Sequence, residues 1–431
     1  MLLHLGSVPT LVVSSSRVTQ SILRTHDDIF ASQPYSAIAN ILFYGATDVG
    51  FSPYSEYWRQ IKKITTTHLL TMKKVRSFGS VRQQEVRLIM ARITEAASKH
   101  VVVDLTELLS CYSNSMVCHT VCGKLSQKED WNQLLRELVK VSTSLLGGFH
   151  IEDYFPSITR LAVEVATVVR QSTHNINRRW DRLLEKLIDD HTTKQIISSS
   201  VLDHYDEEAG FIGVLLSMQH EYGLTRDNIK ANLVAMLMAG TDTSFIELEY
   251  AMAELMQKPH VMGKLKAEMR RVMPKGQDIV TEEQLGCMLY LKAVIKETLR
   301  LHPEAPLLMP HLSMSDCNVN GYTIPSGTHV IVKVWALAKD SNYWENADEF
   351  MPERFIGNTS GDYSGKDFHF LPFGSGRRIC PGINFAIATI EIMLANIVYR
   401  FDWKLSVDQA AKGGIDMTET FGVAVRPTPA C

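Results

Sequence analysis

No run of about 18 consecutive apolar residues occurs in the chain, so no helix is expected to span a bilayer. Charge of one sign is also lacking. Forty-four Lys and Arg stand against 47 Asp and Glu, a formal net charge of −3, and nothing marks a surface for nucleic acid or another polyanion. There is no glycine-rich dinucleotide or flavin fingerprint, so any electrons the chain uses must come from another protein. Internal repeats, low-complexity tracts and Pro/Gly/Ser linkers are absent, and residues 1–431 read as one domain. The seven cysteines (111, 118, 122, 287, 317, 380 and 431) are odd in number and irregularly spaced, which excludes a disulfide framework. Most are expected to be reduced, buried thiols in a reducing compartment. Cys118 and Cys122 flank His119, but no second ligand pair follows at finger-like spacing, so zinc is not expected there. The first residues have neither the basic start nor the long apolar centre of a signal peptide.

What is present is mostly helical periodicity with short β segments near 1–13, 304–335 and 415–426. Residues 1–13 read as a hairpin broken at Gly6-Ser7, and Ser14–Ser16 can cap a helix over Val18–Arg24. Residues 35–53 read as an apolar loop able to wall a pocket. Tyr57-Trp58-Arg59 opens a helix in which Trp58 and Lys62 share a face. They are either a half-buried tryptophan beside solvated lysines or an indole N–H and an ammonium that meet one anion. Residues 77–98, 127–145 and 157–192 carry further helical pattern. Asn320-Gly321 marks a hairpin turn. Residues 340–378, rich in Phe, Pro and Gly, lack periodicity and are expected to be ordered by something external, such as a cofactor.

Four stretches carry chemistry. The longest helix, from Thr225 to about Lys258, is apolar through Leu233–Met238 and should be buried on all sides there. It then meets Ala239-Gly240-Thr241-Asp242-Thr243, poor helix formers placed mid-helix. That is either a packing distortion or a widened turn that holds a small ligand, with Thr243 and Asp242 handling protons. Glu297 and Arg300 lie three apart on one helix face, a spacing that alone most often means a surface ion pair. Phe350-x-Pro352-Glu353-Arg354-Phe355 follows. Last comes Phe373-Gly374-Ser375-Gly376-Arg377-Arg378-Ile379-Cys380-Pro381-Gly382, a lone cysteine at the end of a glycine-broken loop beside two cations that favour its thiolate.

In order and spacing these stretches resemble the cytochrome P450 family, the plant microsomal group in particular, along the whole chain. Tyr57-Trp58-Arg59-x-x-Lys62-Lys63 and Thr298-Leu299-Arg300-Leu301-His302-Pro303 fit that group too. The resemblance implies a mainly α fold with small β-sheets (α+β), a long central helix and a cysteine-ligand loop. It implies haem b (iron protoporphyrin IX) as cofactor, with Cys380 as axial thiolate and metal ligand. Arg378 and Trp58 would pair with the propionates, Phe373 would pack near the sulfur, and Gly374 and Gly382 would shape the loop. Glu297 and Arg300 would form a buried network with Arg354. Asp242 and Thr243 would line the oxygen site. The pocket would include Ala239, Ala305, Leu308 and Phe421. Two positions depart from the pattern. Lys62 stands where a second arginine is usual, keeping charge but not the planar fork. His311 stands where arginine is common, so a contact to a propionate would depend on pH.

The implied activity is insertion of one oxygen atom from O2 into a lipophilic small molecule, with electrons from an NADPH-dependent cytochrome P450 reductase. Lys62, Lys63, Lys73, Lys74, Arg76 and Arg377 are either a docking patch for its acidic face or simply solvated. Complete plant members begin with a membrane anchor and a proline-rich hinge. Neither precedes Met1, so the front end reads as truncated, and the address on the cytosolic face of the endoplasmic reticulum membrane comes from the resemblance alone. Two competing readings are an O2-independent isomerase or dehydratase, which would not need Asp242 and Thr243, and a truncated, non-catalytic family member.

Overall fold

The computed structural model describes residues 1–123, 129–155, 163–198, 210–357, 361–411, 414–420, 422 and 424–427. Strands β1 (Leu2–Leu5) and β2 (Val8–Val13) pair antiparallel around Gly6, whose φ of 63° suits glycine. With β3 (His311–Leu312) and β6 (His329–Val332) they form one sheet in the order β1-β2-β6-β3, β2 and β6 running parallel. β4 (Cys317–Val319) and β5 (Tyr322–Ile324) form a hairpin whose turn, Asn320 and Gly321, has both φ angles positive, as a two-residue turn requires. β7 (Glu419–Thr420) and β8 (Arg426–Pro427) pair near the C-terminus.

Helix starts follow the side-chain caps. Ser15 accepts from the Val18 N–H, Ser55 from Trp58, and Thr225 forms a reciprocal capping box with Asn228. The central helix, Arg226–Gln257, packs most extensively against Leu105–Cys122 and next against the apolar Ile383–Arg400 helix. Ile383–Arg400 is, among the described residues, the one helix long and apolar enough by composition to cross a membrane, and here it is built into the protein core. A second, smaller core lies under the sheet, around Val13, Ile22, Phe30, Val330 and Leu371.

Three expectations are corrected. Within 35–53, the Ser36 hydroxyl caps a helix, Ala37–Leu42, so that stretch is not all loop. The central helix is continuous through 239–243 rather than widened. The Thr241 and Thr243 hydroxyls donate to the carbonyls one turn back, Leu237 at 2.7 Å and Ala239 at 2.9 Å, leaving the backbone ladder closed. Cys118, Cys122 and Cys317 are buried, but Cys287 is exposed. Within the aperiodic stretch 340–378, residues 345–349 are tied down in part by Arg300, which lies outside it. Arg300 donates to the carbonyls of Ala338 (2.6 Å), Ala347 (2.7 Å) and Glu349 (3.1 Å), and Arg354 to those of Glu345 (2.8 Å) and Asn346 (3.2 Å).

These two guanidiniums meet on one carboxylate. Glu297 accepts from Arg300 at 2.8 and 2.9 Å, from Arg354 at 3.0 Å and from the Met351 N–H at 2.8 Å, and both Glu297 and Arg300 are fully buried. The pair is therefore no surface salt bridge. Removing one member leaves the other charge buried and alone. Glu297→Ala is expected to cost about 3–5 kcal/mol in chemical unfolding. Lys264→Ala, which breaks an exposed pair with Glu353, should cost at most about 1 kcal/mol. Similar costs for the two variants would contradict the role assigned to the network.

Candidate functional site

The cysteine loop is shaped by backbone that only glycine adopts freely. Gly374 and Gly376 have φ of 72° and 69°, and a Cβ on Gly376 would stand 2.2 Å from the Leu23 carbonyl oxygen. The loop closes on itself through the Cys380 N–H, which donates to the Phe373 carbonyl at 2.9 Å. The Gly382 N–H points at the Cys380 sulfur, 3.3 Å away, and the Phe373 ring packs edge-on against Tyr363. Burial pushes the thiol's pKa up, while the Gly382 N–H and the Lys62 ammonium pull it down. A hollow of about 420 Å³ borders Cys380, with Lys62, Thr66, Tyr363 and Asn384 in its wall.

Arg378, Lys62 and His311 stand around the loop, and among the described residues none of the three forms a salt bridge with a carboxylate, whereas Arg377 pairs with Asp27 at 3.3 Å. Arg378 spreads its fork over four carbonyls: Ala31 (2.6 Å), Ser52 (2.6 Å), Gly50 (3.3 Å) and Val49 (3.4 Å). Its guanidinium lies 4.1 Å from the Trp58 ring centroid, and the Trp58 indole N–H donates to Val49 at 2.9 Å. Lys62 donates to the Ile379 carbonyl at 2.6 Å. Burial lowers the pKa of Arg378 to about 10 and that of Lys62 to about 8. His311 is pushed down to about 4 by burial, helped by Arg378. It is thus neutral at pH 7, and its Nδ1–H is committed to the Phe30 carbonyl at 2.8 Å. Its other ring nitrogen, Nε2, is left to accept. The cations available to an anionic group are Arg378 and Lys62.

The central helix contributes one accessible face. Ala235, Met236, Gly240, Asp242 and Thr243 are partly accessible and Ala239 is exposed, although Leu233, Val234, Leu237 and Met238 between them are buried. The expected burial on all sides therefore fails along one stripe. Asp242 is raised above the ordinary carboxylate range by burial and drawn back by the Thr143 hydroxyl and the Arg426 guanidinium. Ala305 and Leu308 sit in a tight turn, closed by the Leu308 N–H on the Ala305 carbonyl at 3.0 Å. The Leu308 side chain reaches toward Gly374. Phe421 lies outside the described residues.

Sequence reasoning missed Asp48. It is buried, its Oδ2 accepts from the Gly50 and Phe51 N–H groups at 2.8 and 3.1 Å, and burial raises it to about 6. The Asp-x-Gly spacing of an Asx turn was the available signal. By these contacts Asp48 holds the strand of carbonyls that Arg378 reads.

The Cytochrome P450 family profile matches residues 1–430. The chain belongs to the cytochrome P450 family. It is 51% identical to indole-2-monooxygenase of Zea mays over 99% of this chain and 78% of that protein. It is 48% identical to indolin-2-one monooxygenase of the same plant, over 99% of this chain and 80% of that one. A solved structure of a zebra fish cytochrome P450 with abiraterone has the same fold, with a TM-score of 0.80 at 22% identity, covering 99% of this chain and 93% of that one. The chain is accordingly a P450 monooxygenase of small lipophilic metabolites, with haem b as cofactor and O2 as co-substrate.

The residues present fit that cofactor. Arg378 and Lys62 are desolvated cations short of negative charge, which two propionates supply. Cys380 is a partly accessible sulfur that already accepts an N–H. The accessible stripe of the central helix is small and apolar enough for a flat ring.

His311 provides the pH test. A base whose folded pKa is depressed contributes stability above its unfolded pKa and loses it as pH falls through the folded one. Between about pH 6.5 and pH 4 the wild type should therefore lose up to about 3 kcal/mol relative to His311→Gln. A wild type that instead gained stability on acidification would show His311 charged and paired with an anion.

Proposed function

We propose that this chain hydroxylates a small, flat, nitrogen-containing bicyclic metabolite of the indole class, with Cys380 as axial ligand of the haem iron. The observation that carries the ligand assignment is the loop itself: two positive-φ glycines, an N–H directed at the sulfur and a lysine beside it. The indole class is supported by the Zea mays relatives, which are monooxygenases of indole and of indolin-2-one. Haem, when bound, supplies O2 activation, and a thiolate ligand favours O–O cleavage.

The chain's own residues bind, orient and move protons. Arg378 and Lys62 hold the propionates, and Trp58 stacks under Arg378 to fix it. Phe373, Gly374 and Gly382 hold the sulfur in place. Thr243 presents a hydroxyl at the oxygen face, and Asp242, half-desolvated, carries a proton to it. Ala239, Ala305 and Leu308 wall the substrate. Electrons come from an NADPH-dependent reductase. Lys63, Lys73, Arg76 and Arg377 are exposed and suit its acidic face, whereas Lys62 is half-buried and turned inward, toward the Ile379 carbonyl and the propionates. The site of action is the endoplasmic reticulum membrane, cytosolic face.

Cys380→Ala should abolish the red-shifted carbon-monoxide band of the reduced protein; persistence of the band would remove Cys380 as ligand. Thr243→Ala should keep that band but lower product formed per NADPH by about ten-fold or more, and unchanged coupling would refute its role. Indole and indolin-2-one should shift the resting haem spectrum at micromolar concentration. A shift only with steroid-sized ligands would overturn the substrate class.

A further inference from the structure

One turn beyond Thr243, on the same face of the central helix, stands Glu247. It is completely buried, and neither carboxyl oxygen has a hydrogen-bond partner. Glu304, the residue after Pro303, lies within electrostatic reach of both Glu247 and Asp242. Its backbone is pinned by the Val425 N–H, which donates to the Glu304 carbonyl at 2.8 Å. The other titratable groups that face this cluster are Glu249 and Tyr250 on the same helix, Glu419 and Arg426 on the C-terminal hairpin, Tyr363, and Cys380. Arg426 acts on Asp242 and Glu249, so the Glu247–Glu304 pair keeps no cation of its own. Among the described residues no three His, Cys, Asp or Glu side chains converge to hold a metal ion.

A fully buried carboxylate without a donor is costly and stays neutral instead. A second carboxyl within electrostatic reach disfavours ionising both, and the more deeply buried Glu247 keeps its proton. Burial, then each acidic neighbour, raises Glu247 and Glu304 well above the usual range. The monooxygenase reaction consumes protons in the same place. Inserting one atom of O2 into a C–H bond while reducing the other to water takes two electrons from the reductase and two protons.

We propose that Glu247 and Glu304 form a second proton-holding pair behind Asp242 and Thr243, refilling Asp242 as the two protons are drawn. This rests on the role proposed above for Asp242. Asp242 gives up its proton through Thr243 and becomes a carboxylate. A proton then passes from Glu304 to Asp242 through intervening water, an O–H bond breaking on Glu304 as one forms on Asp242. The pair regains its proton from water at Glu304, which is partly accessible, whereas Glu247 is not. Glu304 is the relay end and Glu247 the partner that keeps it protonated.

The test uses haem-loaded protein and two readouts. In infrared difference spectra at about pH 8, well above the ordinary carboxylate range, the wild type should show a protonated-carboxyl band that shifts in D2O. Asp242→Asn should retain that band, and the Glu247→Gln/Glu304→Gln double variant should lose it. In turnover with indole, Asp242→Asn should keep part of its coupling of NADPH to product, and Asp242→Asn/Glu304→Gln should fall about ten-fold below it. A band that survives in the Glu247→Gln/Glu304→Gln variant overturns the proposal. So does Asp242→Asn that is already as uncoupled as the double variant, an outcome that leaves the role of Asp242 standing. No effect of either Asp242→Asn or Asp242→Asn/Glu304→Gln overturns both.

Discussion

The Glu297 carboxylate is the point on which the rest of the molecule turns. Buried in a helix, it accepts from two arginines and a backbone N–H, and those arginines in turn hold the Ala338 carbonyl and four more in the aperiodic stretch that leads to the cysteine loop. A loop with so many glycines would otherwise sample many conformations, and a sulfur on a mobile loop makes a poor permanent ligand. The network costs desolvation of three charges. Its return is a backbone held by charge-assisted bonds at fixed positions.

A second constraint is the imbalance of charge around the sulfur. Arg378 and Lys62 are buried against carbonyl oxygens, whose partial charges offset only part of the desolvation, and both pKa values fall. On the far side of the site the imbalance is reversed. Asp242, Glu247 and Glu304 are all raised, with Arg426 acting on only the first. The protein thus presents excess positive charge where an anionic cofactor edge would lie and retained protons where oxygen reduction would draw on them.

Much of this was legible in the residues. The caps at Ser14–Ser16 and Thr225 located two helix starts, Asn320-Gly321 located a turn, and Glu297-x-x-Arg300 located the network once its neighbours were read with it. The illegible parts have physical causes. Helix Ala37–Leu42 is under two turns long and sits in apolar surroundings, so its only local mark was the Ser36 cap. Leu105–Cys122 is buried on most of its circumference, which erases the periodicity that betrays a half-exposed helix. Residues 345–349 are tied down in part by a side chain about 40 to 50 positions distant in sequence, a contact no local pattern reports. Glu304 was passed over as one charge in a proline-rich turn; only its approach to Glu247 gives it meaning.

The account stands most directly on the identity of the atom beneath the iron. X-ray absorption at the iron edge of the haem-loaded chain should show one sulfur neighbour, and replacing Cys380 should remove it. A spectrum with only nitrogen and oxygen neighbours, or a sulfur that persists when Cys380 is replaced, would contradict it.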